Sequence, residues 1–496
     1  MKYGEALAYL EELNRYGIVP GLKTVGELCR RLGNPQDALR FVHIAGTNGK
    51  GSVLSYLSSV LIQGGYRTGC YISPVIFDYR ERIQVGGRPI PKTALCEGVE
   101  RVRQICGQMA EDGLPHPTAF EAETALAFWY FRRKQCDVVV LEAGMGGRED
   151  ATNIVRNTAA AVLTSVSKDH MKFLGDSLRE ITLHKVGIIQ KPREIGGIKN
   201  ICYLITCGQE PEVMKTILAA VREAGGFLDE ATAPVGGSGA GEATAPVWGN
   251  GAGETAMPVG EWVFPERLSF RVASQEDVKR IRYGLERQRF DYGGFRDLEI
   301  GLAGKHQIGN AVLAVETLAA LGTAGFPVSE TALRRGLREA KWAGRFTVIG
   351  KKPFFVIDGA HNEAAAKCLG ESIECYFTNK RMIYIIGMLR DKECEKVLAL
   401  TCRYADQLIT VAPPGNPRAV PAYELACMAA RFHPRVTTAD SLEEAVEMSD
   451  LLAGKEDVIL AFGSLSYLGK LKELVHSRKK KAMPSETGGW ERNARS

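Results

Sequence analysis

What the sequence lacks narrows the field first. No run of 18 or more apolar residues occurs anywhere in the chain, so no membrane-spanning helix is expected. No charged start followed by a short apolar stretch marks a secretory signal, and none is expected. The twelve cysteines include no C-x-x-C pair, and none stands with histidines at zinc spacing. Scattered in this way, they read as reduced thiols of a cytoplasmic protein. The net charge is only +5, with the two signs interspersed, which argues against a nucleic-acid partner. What remains is 496 residues, 45% apolar and 24% charged. That is ordinary globular composition, with length for two or three domains.

One stretch stands out. Gly46-Thr47-Asn48-Gly49-Lys50-Gly51-Ser52 follows the apolar run Phe41–Ala45 and precedes the helix-like Val53–Leu61. Strand, glycine-rich turn and helix together form a setting in which backbone N–H groups and a helix N-terminus cradle phosphate. Lys50 can neutralise the β and γ oxygens, and the Ser52 hydroxyl can reach a bound Mg²⁺. The strict G-x-x-x-x-G-K-[ST] pattern is not met, because Gly51 separates Lys50 from Ser52 and Ile44 stands where the first glycine should be. The plainer alternative is a glycine-rich strand-to-helix turn with a surface lysine.

Further apolar runs of strand length follow at 69–72, 137–142 and 159–165, separated by helical patterns. Continuous runs of this kind predict strands buried on both faces of a parallel α/β sheet. Ligands bind such sheets outside the carboxyl ends of the strands. There stand the glycine-rich turn, Ser73, Glu142 and, slightly later, Asp169-His170. A hydroxyl, a carboxylate and an imidazole beside a phosphate loop suit Mg²⁺, which keeps several waters and needs few protein ligands. Imidazole is the least usual of these ligands, and Glu142 could instead cap the turn after its strand.

These residues, with others in the same order, resemble the Mur ligase superfamily, and its folate branch in particular: the folylpolyglutamate and dihydrofolate synthases. The resemblance is carried by Ala45–Ser52, Ser73-Pro74 with Glu81-Arg82-Ile83, Thr118–Glu121, Gly146–Asn153, and Thr164-Ser165 with Asp169-His170. It resumes at His306-Gln307-x-x-Asn310, Trp342–Arg345, Asp358–Asn362, Gly387–Lys392 and Gly463–Leu465. It implies an ATP-dependent ligase joining L-glutamate to a folate or dihydropteroate carboxylate through an acyl phosphate. Implied ATP contacts are Gly46, Thr47, Asn48, Gly49, Lys50, Gly51, Ser52, Asn310, Arg345 and Asp358. Mg²⁺ is expected near Ser52, Ser73, Glu142 and His170. The folate or pterin is expected against Arg82, Thr118, Phe120, Glu121, Glu149, Asp150 and Ala151. Lys50, Lys185, His170 and His361 are the expected catalytic residues, with Lys185 carbamylated as its family counterpart is.

Plainer readings stay open beside these. Phe120 could be core, and Glu121 the first-turn carboxylate of a helix over Ala122–Phe131. Arg345 could form a surface ion pair, and His361 could cap a helix. Two competing functions are a muramyl-peptide amino-acid ligase and a nucleotide- and folate-binding relative without catalysis. The second is prompted by His184 before Lys185, where the family usually shows glutamate.

The expected architecture is α/β: an N-terminal P-loop-type ATP-binding domain over 1–298 and a smaller Rossmann-like domain over 299–477. Phe290 to Gly304, with its Gly293-Gly294 pair, reads as the linker, and the basic stretch from Arg478 as a solvated tail. An imperfect duplication rich in Gly, Ala, Thr and Pro reads as a flexible insertion at about 230–260. A monomer is the expected state.

Overall fold

The computed structural model describes residues 1–189, 193–195, 198–200, 202–224 and 269–482. The expected insertion at 230–260 and the chain beyond 482 lie outside the described residues.

The chain divides into two compact units, Met1–Ala343 and Gly344–Ser496. In the first, strands β1 (Phe41–Ala45), β2 (Thr68–Tyr71), β3 (Ile83–Val85), β4 (Arg88–Pro89), β5 (Val138–Glu142) and β6 (Thr158–Leu163) come before a small antiparallel pair, β7 (Arg193–Ile195) and β8 (Ile198–Asn200). Strands β9 (Tyr203–Cys207) and β10 (Ser269–Ala273) then complete an eight-stranded sheet in the order β10-β9-β6-β1-β5-β2-β3-β4. From β10 to β2 every pairing is parallel. β1 and β5 are buried throughout, as their unbroken apolar runs require.

Helices α1 (Tyr3–Glu12), α2 (Lys23–Arg31), α3 (Lys50–Gln63), α4 (Lys92–Glu111), α5 (Ala119–Arg133), α6 (Met171–Leu174), α7 (Leu178–Lys185), α8 (Pro211–Glu223), α9 (Gln307–Thr323) and α10 (Glu330–Glu339) belong to the same unit. On one face of the sheet, α1, α2, α4 and α5 bury Leu10, Leu28, Val99 and Phe128 against Phe41 and Val139. On the other face, α3 packs between the sheet and α9. It is buried on nearly every side, which is why its residues are small or apolar all round.

The boundary corrects the expectation of a division at 298. Phe290–Gly304 is not a linker. Strands β11 (Lys279–Arg282), β12 (Gln288–Tyr292) and β13 (Phe295–Ile300) form an antiparallel sheet. Gly293 and Gly294, at φ +57° and +86°, make the two-residue hairpin turn, where both central residues need positive φ. The alternating Phe290, Tyr292, Leu298 and Ile300 enter the same core as α3 and α9. Helix α10 then lies so close to α3 that a Cβ on Gly336 would fall 2.4 Å from Val60 Cα. Residues 299–343 thus share a core with the phosphate-loop helix, and Asn310 belongs to this unit and not to the second.

The second unit carries β14 (Thr347–Lys351), β15 (Phe354–Ile357), β16 (Met382–Ile386), β17 (Gln407–Thr410), β18 (Val436–Thr438) and β19 (Val458–Phe462), ordered β14-β15-β19-β16-β17-β18. Only the edge strand β14 is antiparallel. Helices α11 (Glu363–Tyr376), α12 (Cys394–Thr401), α13 (Ala422–Ala429), α14 (Leu442–Leu452) and α15 (Leu468–Ala482) alternate with them. This is the expected smaller doubly wound sheet. The tail does not begin at 478, because α15 runs to Ala482 and Arg478 pairs with Glu447 on α14.

Candidate active site

The glycine-rich turn expected to hold phosphate is built from the end of β1. Gly46 has φ +143°, and a Cβ there would sit 1.9 Å from Thr164 Oγ1, so only glycine lets the loop cross the end of β6. Thr47 N–H donates to the Ser165 carbonyl at 2.7 Å, and its hydroxyl donates to the Ser167 carbonyl at 2.9 Å. The turn is therefore pinned to the neighbouring strand end before any ligand arrives. Gly49, at φ +92°, precedes Lys50 at the start of α3, so the first N–H groups of a 14-residue helix point out of the turn.

The departure from the strict loop pattern has a steric cause. A Cβ on Gly51 would lie 2.2 Å from the Trp342 indole. The ring packs against the first turn of α3, and glycine is what admits it. Nothing local in the sequence ties residue 342 to residue 51. The same indole lines a cavity of about 290 Å³ with Leu54, Ser55, Cys70, Pro74 and Phe77. Sequence reasoning missed both features; the adjacent Ser73-Pro74 motif was the one available signal.

At the carboxyl ends of β1, β5 and β2 the expected charges meet. Lys50 Nζ stands 4.0 Å from Glu142 Oε1, while the Ser73 N–H donates to Glu142 Oε2 at 3.4 Å. Lys50 also donates to the Gly46 and Thr47 carbonyls. Buried Lys185, at the end of α7, donates to the Gly46 carbonyl at 2.8 Å. A capping box, Ser177 with Glu180, fixes the start of α7. Its end is fixed by the loop after β5, where Arg148 N–H donates to the His184 carbonyl at 2.8 Å. Burial, reinforced by the Lys50 charge and opposed by Asp169 and Asp150, pushes the Lys185 ammonium down to about 7.

The other expected metal ligands lie differently. Ser52 is buried toward α9, where its oxygen accepts from Gln307 Nε2 at 3.2 Å. His170 is partly exposed, with its Nε2 3.9 Å from Asp169 Oδ2. Among the described residues no group of three His, Cys, Asp or Glu side chains is placed to hold a metal ion. The Glu142 carboxylate next to Ser73 still fits Mg²⁺, which takes oxygen donors and retains water.

The expected substrate residues are largely engaged in shaping their own loops. Thr118 caps α5, and Glu121 Oε2 accepts from the Thr118 N–H at 2.8 Å and from its hydroxyl at 2.9 Å. Glu121 is thus the first-turn carboxylate that the plainer reading allowed, in a helix that starts at Ala119. Asp150 Oδ1 accepts from Thr152 N–H and hydroxyl, and Oδ2 accepts from Met145 N–H. Thr152 in turn meets fully buried His43 at 2.9 Å. Ala151 is buried and Glu149 is exposed. Phe120 lies against Gly144, where a Cβ would fall 2.6 Å from the ring, and forms a wall with Tyr71 at 5.9 Å. Arg82 pairs with buried Glu123 at 3.1 Å, and Tyr79 donates to the same carboxylate. Asn310 lies beside the phosphate loop, against Gly49.

In the second unit, Asp358 Oδ2 accepts from Phe346 N–H at 2.7 Å and Oδ1 from Ala360 N–H at 2.8 Å. It braces the segment that carries Arg345, whose guanidinium lies against Gly359. His361 Nδ1 donates to the Gly359 carbonyl at 2.7 Å. The cap of α11 is Asn362, which accepts from Ala365 N–H, so capping is not the role of His361.

Comparison with known proteins agrees with this architecture. Residues 44–216 match the Mur ligase middle domain, and residues 344–465 match the Mur ligase glutamate ligase domain. The second match begins at the first residue of the second unit. The chain is 31% identical to the folylpolyglutamate synthase of Lacticaseibacillus casei, over 85% of this chain and 88% of that one. It is 30% identical to the dihydrofolate synthase/folylpolyglutamate synthase of Escherichia coli, over 95% of each. The chain belongs to the folylpolyglutamate synthase and dihydrofolate synthase family of Mur ligases.

Solved structures of that family superpose along almost the whole length. Mycobacterium tuberculosis folylpolyglutamate synthase complexed with ADP and AMPPCP aligns with a TM-score of 0.78 at 27% identity, over 95% of this chain and 99% of that one. Escherichia coli FolC in complex with DHPP and ADP aligns with a TM-score of 0.74 at 28% identity, over 97% and 99%. The family's members are ATP-dependent ligases. Among the described residues no helix is long and apolar enough to cross a membrane.

Proposed function

We propose that this chain uses ATP to join the amino group of L-glutamate to a carboxylate of a reduced folate, of dihydropteroate, or of both. The observation that carries the reading is the meeting of Lys50 and Glu142 at 4.0 Å, where the glycine-rich turn and the end of β5 converge. That pair is the minimum a phosphoryl-transfer site needs: a cation for the phosphate oxygens and a hard anion for a divalent metal. The relatives favour a folate acceptor over a muramyl peptide.

The chemistry follows from the weakness of a carboxylate as an electrophile. Transfer of the γ-phosphoryl group to a carboxylate oxygen gives an acyl phosphate and ADP. The glutamate amine then attacks the acyl carbon, phosphate leaves, and the amine loses a proton. The N–H groups of the turn hold the phosphates in line while Lys50 offsets the charge on the transferring group. Glu142, with Ser73, would hold Mg²⁺. That ion, when bound, supplies charge neutralisation at the phosphoryl oxygens.

Phe120, Thr118 and the Asp150–Ala151 loop are proposed as one wall for the pterin, and the cavity beside Pro74 and Trp342 as an apolar slot for a flat heterocycle. Thr47, Asn48 and Asn310 are proposed to contact ATP. His361 is proposed to meet the incoming amino acid. The protein acts as a cytoplasmic monomer. Lys50→Ala should abolish glutamate-dependent ADP formation with an unchanged melting temperature. Near-normal turnover in that variant would remove the phosphate loop from the mechanism.

A further inference from the structure

Gln307 has no role in the chemistry above, yet it is completely buried beside the phosphate loop. Three of the four hydrogen-bonding positions of its amide are directed. Nε2 donates to Ser52 Oγ at 3.2 Å and lies 3.1 Å from His306 Nε2, while Oε1 accepts from Asn310 Nδ2 at 3.1 Å. Nε2 thus faces a hydroxyl oxygen and a ring nitrogen, both able to accept. In this orientation all three contacts of the buried amide are made, and an unsatisfied buried amide is costly.

That orientation is transmitted to the loop at two points. Through Ser52, Gln307 ties α9 to the first turn of α3. Through Asn310, it fixes which amide atom faces the turn. Asn310 Nδ2 is committed to Gln307, so Asn310 Oδ1 lies against Gly49, where a Cβ would come within 2.6 Å of it. Gly49 is the left-handed residue from which the phosphate-binding helix starts. The contacts run from Gly49 through Asn310 and Gln307 to Ser52, and so brace the loop at both ends of its Gly-Lys-Gly stretch.

We infer that Gln307 is a positioning residue of the nucleotide site. It presets the Asn310 amide and the Ser52 turn of α3, so that the loop meets the nucleotide phosphates already in its binding geometry. The inference rests on the phosphate-loop reading and adds to it a residue that itself need touch no substrate. Preorganisation of this kind appears as affinity, because a loop that must be ordered on binding loses part of its interaction free energy to that ordering.

The test is calorimetric titration of ADP in EDTA and of AMPPCP with Mg²⁺ into the full chain and its Gln307→Met, Asn310→Ala, double and Lys50→Ala variants. Met keeps the volume and removes both hydrogen-bonding functions. Gln307→Met should weaken both nucleotides by about tenfold, the loss expected for one or two buried hydrogen bonds. The loss in EDTA separates it from any effect on metal binding. The KM for the folate acceptor should not move, and the double variant should lose less than the product of the single losses. If Gln307→Met fails to fold, Ser52→Ala, which removes one hydroxyl, should weaken ADP severalfold in EDTA. Wild-type nucleotide affinity in folded Gln307→Met, or equal losses for nucleotide and folate, would overturn the inference. Loss in Lys50→Ala without loss in Gln307→Met sinks this inference alone. No loss in Lys50→Ala sinks the phosphate-loop reading and this inference with it.

Discussion

Lys50 and Lys185 donate to one and the same acceptor, the carbonyl of Gly46, at 3.2 and 2.8 Å. One carbonyl cannot offset two ammonium charges in a site that excludes water from Lys185. Burial and the Lys50 charge together favour the neutral amine of Lys185, which changes state at about pH 7.

A neutral buried amine is a nucleophile for CO₂: the new N–C bond gives a carbamate and releases one proton. Lys185 should therefore be carbamylated, with occupancy rising as pH increases through about 7. Activity should rise across the same window and fall in CO₂-depleted buffer. Carbon-13 NMR with labelled bicarbonate checks it. An active enzyme with no carbamate signal and no bicarbonate dependence contradicts the modification and leaves the ligase reading standing.

Stability should fall with acid because of His43. Burial holds its imidazole down at about 3, against 6.5 for the free group. Between those values the unfolded chain binds a proton that the folded chain refuses. This contribution is therefore intact above pH 6.5 and is lost as pH falls towards 3, at up to ~1.4 kcal/mol per pH unit. Denaturant titrations at several pH values should show His43→Gln less acid-sensitive than the parent by up to one proton. An identical pH slope in the two proteins contradicts the assignment.

Arg82 should behave as a structural residue before it behaves as a substrate contact. Its side chain is only 12% exposed and stands 3.1 Å from that of buried Glu123. Arg82→Met leaves a carboxylate without its cation and should cost about 3 kcal/mol of stability. Adding Glu123→Gln should restore part of that loss, as thermal melts would register. A fully stable Arg82→Met with a raised folate KM would instead make Arg82 a substrate residue.

Gly51→Ala should fail for want of space, since its Cβ would enter the Trp342 ring. We expect about 1–3 kcal/mol of destabilisation, the usual range for overpacking, and weaker nucleotide binding. Trp342→Leu in the same chain should relieve part of both. Absence of any relief in the double variant would mean that Gly51 is required for some reason other than the indole.

Much of this was legible in the sequence, and the reasons it stopped are physical. Buried parallel strands have no alternation to disguise them, so the run Phe41–Ala45 is β1 residue for residue and 137–142 differs from β5 by one position. Strand ends then located Glu142 and Ser73. Gly293-Gly294 misled, because a glycine pair serves a linker and a tight hairpin equally well, and only the alternation of Phe290, Tyr292, Leu298 and Ile300 distinguishes them. Glu121 and Asp150 have the residue types of a ligand site, yet their oxygens are taken up by Thr118, Thr152 and Met145. Contacts such as Trp342 on Gly51 and Gln307 on Ser52 join residues hundreds of positions apart, and no local pattern announces them.

The most direct test of the account is mass spectrometry of products formed from ATP and L-glutamate with either tetrahydrofolate or dihydropteroate, with ADP formation followed in parallel. The account predicts products one or more glutamyl residues heavier from at least one acceptor, with one ADP released per glutamate added and none without glutamate. A folded, nucleotide-binding protein that adds no glutamate to either acceptor would contradict it.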